Sequence, residues 1–215
     1  MTLTAQPSTY SKLLKTDDDL KIRIMQAVEE LFFKYGFSKV TMDEIADSLG
    51  MSKKTLYRIF SSKEDLLLEV TNHHLEECDF NLKKICSEKG IDPLEKLKRF
   101  LNYVTLIYAK MTHSLLYDLQ RHAPEIWKRV EDNRSRFMET YFCSLIKEGR
   151  QKGRFRKDVD EKLFVLIYTK VLEGILNPEM LSNLPFKPNQ VFETTIKVLF
   201  EGLLTDKART EYHAN

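Results

Sequence analysis

The chain has 215 residues, 42% of them hydrophobic and 31% charged, with a formal net charge of +2 at pH 7. This length and composition allow a sizeable core in one domain or in two smaller ones. Cys78, Cys86 and Cys143 are odd in number and widely spaced, which argues against a disulfide framework. The sequence has no apolar run of about 18 residues, the length that spans a bilayer. We therefore expect a soluble, cytoplasmic protein.

The N-terminal part of the chain predicts an arm followed by a helix. Residues 1–16 are rich in small and polar residues and include Pro7 and two lysines, a composition typical of a flexible arm. Three aspartates at 17–19 suit the start of a helix. Apolar residues then recur at helical spacing from Leu20 to Tyr35, ahead of Gly36, and predict the first helix.

A second, short helix is predicted to begin near Met42. Thr41 and Glu44 have the spacing of a capping box, in which each side chain bonds a free backbone amide at the helix start. Gly50 stands where a left-handed residue ends a helix. The predicted inward face consists of Ile45, Ala46 and Leu49.

The third predicted helix runs from Lys53 to about Phe60, with Ser52 as its N-cap. Two short helices joined by a turn that contains glycine are typical of a helix-turn-helix. The inward residues are Leu56, Ile59 and Phe60, and the outward ones are Lys53, Lys54, Thr55, Tyr57 and Arg58. From Ser52 to Lys63 the chain has four basic residues and no acidic one, which suits contact with phosphates and base edges.

The fourth helix is predicted to begin at Lys63, with Ser61 and Glu64 as a second capping box. Its free amides could bind a phosphate. A short basic helix alone is more often a solvated face than a nucleic-acid site. The two capping boxes, the glycine turn and the acid-free basic face occur together within residues 40–67, however, and this combination favours DNA binding.

Helical patterns continue to the C-terminal region, and the sequence contains no clear strand. Asp92 and Pro93 predict the start of the fifth helix, and Asp158 with Glu161 predicts a cap for the eighth. The predicted helices after the third are 63–88, 93–110, 112–121, 124 to about 149 or 153, one that follows its cap at Asp158 and runs to about 176, and one that follows a loop over 177–189 and runs to about 204. The prediction is an all-α chain of about nine helices.

Residues within 20–67 resemble the N-terminal domain of the TetR family of bacterial transcriptional regulators. The residues that carry the resemblance are Gly36, Thr41, Ile45, Ala46, Gly50, Ser52, Leu56, Tyr57, Phe60, Lys63, Glu64 and Leu66. The later phrase IKEGRQKGRFRKDVDEKL is similar to the family's entry into its eighth helix. The resemblance implies a helix-turn-helix DNA-binding domain over 17–66 and a larger helical effector-binding and dimerisation domain over 67–215, after the arm at 1–16.

The resemblance also implies DNA contacts for individual residues. Tyr57, Lys63 and Thr41 would contact phosphates, and bases would be read by the leading turn of the third helix, which consists of Ser52, Lys53, Lys54 and Thr55. Lys54 departs from the family pattern, because many members have a small residue at this position. Lys54 must reach either a guanine or a phosphate, and Arg58 could serve either purpose.

Two more surfaces of the C-terminal domain follow from the resemblance. The eighth and ninth helices have more apolar surface than one buried stripe needs, which fits either an intrachain pair or, as in the family, a four-helix dimer interface. The interface residues would include Leu163, Ile167, Val171, Gly174, Val191, Thr195, Leu199 and Gly202. We place Gly174 and Gly202 inside these helices, where close helix approach would justify glycine.

The family's effector pocket lies among its fourth to eighth helices. The aromatic and polar candidates here are Phe100, Tyr103, Tyr108, His113, Tyr117, Trp127, Phe137, Tyr141 and Tyr168, which suit a small hydrophobic or aromatic effector. Each aromatic residue taken singly is more often part of a core. His73, His74 and Cys78 supply too few ligands for a metal site, so we predict no metal and no cofactor.

The functional prediction is a homodimeric DNA-binding regulator, a repressor released from a near-palindromic operator by a small effector. The alternatives are an activator, a regulator whose C-terminal domain binds a protein partner, and a helical interaction module with an incidental basic patch. The sequence has no phosphate-binding loop, dinucleotide fingerprint, nucleophile elbow or zinc-protease helix, so we predict that it is not an enzyme.

Overall fold

A computed structural model of the chain describes residues 9–110, 112–175, 180 and 184–213. Side chains are described from residue 18 onward, apart from a few positions within 108–114 and at 188. The chain divides into two compact units, residues 1–73 and 74–215. Within the described residues the regular structure is helical, and the one strand-like feature is an antiparallel bridge between Phe155 and Leu204. The all-α prediction is confirmed.

The first unit contains three helices and the start of a fourth. Their bounds are α1 (Thr9–Tyr35), α2 (Met42–Ser48), α3 (Lys53–Ile59) and α4 (Lys63–Ser87), the last of which continues into the second unit. Helix α1 begins at Thr9 and so takes in residues that the sequence analysis assigned to the arm, whereas residues 1–8 lie outside the described residues. The core of this unit includes Ile24, Val28, Phe32, Ile45, Leu56, Phe60 and Leu66.

The second unit contains the remaining helices. Their bounds are α5 (Pro93–Ala109), α6 (His113–His122), α7 (Pro124–Phe137), α8 (Cys143–Gln151), α9 (Glu161–Ile175), α10 (Pro188–Glu201) and α11 (Asp206–His213). Asp92 caps α5 as predicted, since its Oδ1 accepts a hydrogen bond from the Leu94 amide at 2.9 Å. The predicted cap of the eighth helix was wrong. Asp160 caps α9 by accepting from the Leu163 amide at 2.9 Å, whereas Asp158 forms an ion pair with Arg156.

The predicted seventh helix is interrupted by a π-helical turn. Met138–Phe142 joins α7 to α8, and the Cys143 amide bonds to the carbonyl of Met138, five residues earlier. The extra residue in this turn leaves both Met138 and Phe142 buried. The Phe142 ring then lies 4.8 Å from Phe200 and 5.5 Å from Phe164, at the centre of the second unit's core.

The connection between α8 and α9 depends on two glycines. Gly153 has φ +68° and ends α8 with a Schellman pair of bonds, because its amide and that of Arg154 reach back to the carbonyls of Arg150 and Gly149. A Cβ atom at position 149 would lie 2.2 Å from the Phe155 ring. Glycine at position 149 therefore allows the buried ring of Phe155 to pack directly on the backbone of α8.

Helix α11 was not predicted from the sequence. Thr205 starts it by accepting a hydrogen bond from the Ala208 amide, and Arg154 pairs with Glu211 at 2.7 Å and with Asp92 at 2.9 Å. The interior placement of Gly202 was also wrong, because α10 ends at Glu201 and Gly202 is its C-cap. The additional helix and the divided seventh helix raise the number of described helices above the predicted nine.

Candidate DNA-binding surface

Helix α2 is fixed at both ends by the interactions predicted from its sequence. The Thr41 Oγ1 accepts from the Glu44 amide at 3.2 Å, and the Glu44 carboxylate accepts from the Thr41 amide at 2.8 Å. This bonding lowers the pKa of Glu44. Gly50 has φ +62°, and the amides of Gly50 and Met51 bond to the carbonyls of Asp47 and Ala46. The capping box and the left-handed turn are confirmed.

Helix α3 begins where predicted and divides its residues by face. The Ser52 Oγ accepts from the Thr55 amide at 3.1 Å and shares a 2.9 Å hydrogen bond with the Thr55 hydroxyl. Leu56 and Phe60 are buried, while Ile59 is half-buried. The exposed residues are Ser52, Lys53, Lys54, Tyr57 and Arg58, and Thr55 is half-buried among them. The predicted contact residues of α3 thus lie on one accessible side of a short, well-capped helix.

Lys53 has a partner that the sequence analysis did not predict. Its ammonium forms an ion pair with the carboxylate of Asp43 in the first turn of α2. The hydrogen bond from Lys53 to Asp43 raises the pKa of the lysine. The two residues are ten positions apart and on different helices, so helical periodicity gives no signal of the pairing.

Lys63, predicted to contact a phosphate, forms hydrogen bonds within the first unit. Its Nζ donates to the carbonyl oxygens of Phe37 and Val40, each at 3.0 Å, and lies 4.3 Å from the centre of the Phe37 ring. An ammonium group has three N–H donors, so these two bonds leave one donor available. Lys63 therefore ties the start of α4 to the segment before α2.

The predicted capping box at the start of α4 was wrong by one residue. Ser62 is the N-cap, since its Oγ accepts from the Asp65 amide at 3.0 Å. The Asp65 carboxylate in turn accepts from the Ser61 amide at 2.8 Å and the Ser61 hydroxyl at 3.0 Å. Ser61 with Glu64 and Ser62 with Asp65 have the same spacing, so sequence spacing alone does not distinguish the two pairs.

The comparisons with known proteins agree with this arrangement. Residues 24–70 match the family model described as bacterial regulatory proteins, tetR family, over the helices that form the surface described above. Over these residues the chain has a TetR-family DNA-binding domain. It is a DNA-binding transcriptional regulator, as predicted, and the family is one of non-enzymatic regulators whose members bind operators and act as dimers.

Individual TetR-like relatives extend the likeness beyond the DNA-binding helices. The helix-turn-helix regulator YvaF of Bacillus subtilis strain 168 is 28% identical over 188 residues, covering 86% of this chain and 96% of YvaF. The transcriptional repressor KstR2 of Mycolicibacterium smegmatis is 26% identical over 166 residues, covering 73% and 76% of the two chains. A transcriptional regulator from Saccharomonospora viridis, crystallised with choline, has the same fold, with a TM-score of 0.64 at 19% identity over 87% of this chain and 99% of that one.

The residues predicted to line a TetR effector pocket have different environments. Phe100, Phe137 and Tyr168 are buried in the core of the second unit, and Tyr117 is exposed. Tyr103, Trp127 and Tyr141 are half-buried at the edge of that core. The side chains of Tyr108 and His113 lie outside the described residues.

Two of the half-buried tyrosines bond to α4. The Tyr103 hydroxyl accepts from Asn81 at 3.2 Å, and the Tyr141 hydroxyl donates to Asp79 at 2.9 Å. Burial raises the pKa of both phenols, and for Tyr141 the bond to Asp79 adds to the effect. Both phenols are therefore protonated at neutral pH.

The predicted dimer residues lie at the surface or at the margin of the core. On α9, Leu163, Ile167 and Gly174 are exposed, and Val171 is half-buried. On α10, Val191, Thr195 and Leu199 are half-buried, and Gly202 at the helix end is exposed. Leu166 and Val198 are also exposed, at 53% and 68%, although the sequence analysis did not assign them to the interface.

No group of three or more His, Cys, Asp or Glu side chains among the described residues could hold a metal ion. His73, His74 and Cys78 occupy successive turns of α4, and burial of Cys78 is explained by the core of the second unit. None of the described helices is long and apolar enough to cross a membrane.

Proposed function

We propose that the protein is a homodimeric repressor that binds a near-palindromic operator and is released by a small hydrophobic or aromatic effector. Residues 17–66 would form the DNA-binding domain, and residues 67–215 would bind the effector and the partner subunit. The observation that carries the proposal is the exposed face of α3, held at both ends by the Ser52 cap and the Gly50 turn. Its site of action would be the bacterial cytoplasm, where operator DNA lies.

The proposed contacts follow the accessibility of each side chain. Tyr57, Thr41 and the remaining donor of Lys63 would bind phosphates, while Ser52, Lys53 and Thr55 would approach base edges in the major groove. Lys54 and Arg58 are both exposed cations, and each would contact either a phosphate or a guanine. A two-fold dimer would place two such faces about 34 to 36 Å apart, or at a multiple of that spacing.

The dimer proposal is supported by an exposed apolar row on α9. Leu163, Leu166, Ile167 and Gly174 fall at spacings of three, four or seven residues, which place them on one side of the helix. A Cβ atom at position 174 would meet no atom within 4 Å, so none of the described residues covers this position on α9. Exposed apolar rows of this kind favour burial against another chain.

The effector proposal is supported by the half-buried aromatic residues beside the core. Trp127, Tyr103 and Tyr141 combine ring surface with two hydroxyl groups, a combination that suits an aromatic ligand with a polar substituent. The choline complex of the regulator from Saccharomonospora viridis is an example of a small ligand bound to this fold. Release requires only that the effector binds the DNA-incompetent state more tightly than the competent one.

The test begins with selection of duplexes from a random-sequence pool by the purified full-length protein. We expect enrichment of a near-palindrome, and Lys53→Ala should alter the preferred bases in each half-site. Small molecules that copurify with the protein are then identified by native mass spectrometry and added to the operator complex. Operator release by such a molecule supports the effector proposal, whereas unchanged binding at saturating ligand contradicts it.

A further inference from the structure

Lys53 is held by an acidic residue before any DNA is present. Its ammonium pairs with the Asp43 carboxylate, and the two side chains are 57% and 54% exposed. The pair therefore lies on the surface that the proposed function assigns to DNA. Asp47, one turn further along α2, adds negative potential at longer range, and both carboxylates raise the pKa of Lys53. The lysine is charged and restrained in the unbound protein.

The backbone at both ends of this ion pair is fixed. The capping box between Thr41 and Glu44 sets the first turn of α2, which contains Asp43. The left-handed Gly50 and the Ser52 cap then set the start of α3, which contains Lys53. Asp43 also has a short side chain with few rotamers, so its carboxylate stays beside the leading turn of α3.

We propose that Asp43 is a specificity-determining residue that restrains Lys53 and weakens binding to DNA of unrelated sequence. The inference rests on the proposed role of α3 in base readout. Phosphates surround every DNA sequence, so an unrestrained Lys53 would strengthen binding to all of them. A complex that breaks the ion pair also brings the Asp43 carboxylate close to a polyanion. Only a sequence that presents well-placed acceptors, such as guanine O6 and N7, gives Lys53 hydrogen bonds that replace its ion pair with Asp43.

This arrangement gives specificity by penalising wrong sequences. The expected size of the effect follows from the exposure of the pair. Exposed ion pairs have strengths that correspond to a change of about twofold to fivefold in an equilibrium constant. One additional lysine free to contact phosphate steepens the slope of log affinity against log salt by about 0.9.

The test compares wild-type protein with Asp43→Asn, using fluorescence anisotropy across a salt series. The probes are a duplex enriched by the wild type from a random pool and a shuffled duplex of equal composition. We expect Asp43→Asn to bind the shuffled duplex about twofold to fivefold more tightly for each protomer, which is roughly fourfold to 25-fold for a dimer, with a slope steeper by about 1.8 because two lysines are freed. The ratio of the two affinities should fall.

Two controls separate restraint of Lys53 from loss of charge alone. Asp47→Asn removes the same charge from the same helix, and we expect a smaller change in the affinity ratio. In a Lys53→Met background, Asp43→Asn should leave the ratio unchanged. An equal effect with or without Lys53 would overturn the inference, because the carboxylate would then act by general repulsion.

The outcomes also distinguish this inference from the proposed function. If the wild type enriches no sequence, the proposed function fails and the inference fails with it. If the wild type enriches an operator but Asp43→Asn leaves the affinity ratio unchanged, only the inference about Asp43 fails.

Discussion

Tyr57 places a phenol hydroxyl on the accessible side of α3, where 49% of the residue is exposed. A phenol hydroxyl carries one donor and no positive charge, so it can bind a phosphate without releasing a counterion of its own. Tyr57→Phe should therefore weaken binding to all duplexes alike, by roughly twofold to tenfold for each protomer of the dimer. Anisotropy titrations over a salt series should show an unchanged slope. A change in base preference would instead assign the hydroxyl to base readout.

Lys63 and Lys54 are both cations of the predicted DNA surface, yet their surroundings differ. Lys63 bonds two carbonyl oxygens of the first unit, whereas Lys54 is exposed on α3. We expect Lys63→Met to lower the free energy of unfolding by roughly 1 to 3 kcal/mol, because it leaves those carbonyls without a charged donor. Lys54→Met serves as the control and should change stability by less than about 0.5 kcal/mol. Equal melting curves for the two variants would contradict a structural role for Lys63.

At the scale of helices, the sequence signals that succeeded are local. Thr41, Gly50 and Asp92 act on backbone groups within a few residues, so their spacing alone was sufficient to predict the start or end of a helix. The features that were missed depend on contacts between distant segments. The π-helical turn packs Phe142 against Phe200, and α11 is held by the pair of Arg154 with Glu211. No periodicity within a single helix reports such contacts.

The same distinction applies to the candidate DNA-binding surface. The positions that face outward on α3 could be predicted because an amphipathic helix of known start has a defined face. The pairing of Lys53 with Asp43 and the engagement of Lys63 could not be predicted, because each depends on how separate segments of the first unit pack together.

The contact between α8 and Phe155 gives a prediction at this scale. Gly149→Ala would place a Cβ atom 2.2 Å from the Phe155 ring, so the ring or the connection must move. Overpacking of this kind costs about 1 to 3 kcal/mol. We expect a lower melting temperature in calorimetry, together with partial recovery when Phe155→Leu is added. If the double variant were as unstable as the sum of the two single changes, the close approach would not explain the glycine.

For the molecule as a whole, the exposed apolar row on α9 is the surface through which two chains would form the proposed dimer. The row consists of Leu163, Leu166, Ile167 and Gly174. Leu166→Glu would place a charge in the centre of that interface, where an unpaired carboxylate is costly to bury. We expect this variant to sediment as a monomer at micromolar concentration, while the wild type sediments as a dimer. It should also bind operator DNA more weakly, because one reading unit offers half of the contacts.

A matched control is available on α5. Leu106 is exposed to 57%, close to the 53% of Leu166, and it lies outside the proposed interface. Leu106→Glu should remain dimeric in the same sedimentation experiment. If both glutamate variants were dimeric, α9 would not be the interface. If both were monomeric, the effect would not be specific to α9.

In the proposed function, the capped α2 and α3 helices present a surface that reads the sequence of duplex DNA. The most direct measurement is the affinity of the purified protein for its enriched duplex and for a shuffled duplex of the same composition, in one buffer and over one salt series. We predict that the enriched duplex binds about 10³-fold or more tightly, with a salt slope of roughly −6 to −9 for about eight phosphate contacts per dimer. Equal affinity for the two duplexes would mean that this surface does not read the DNA sequence.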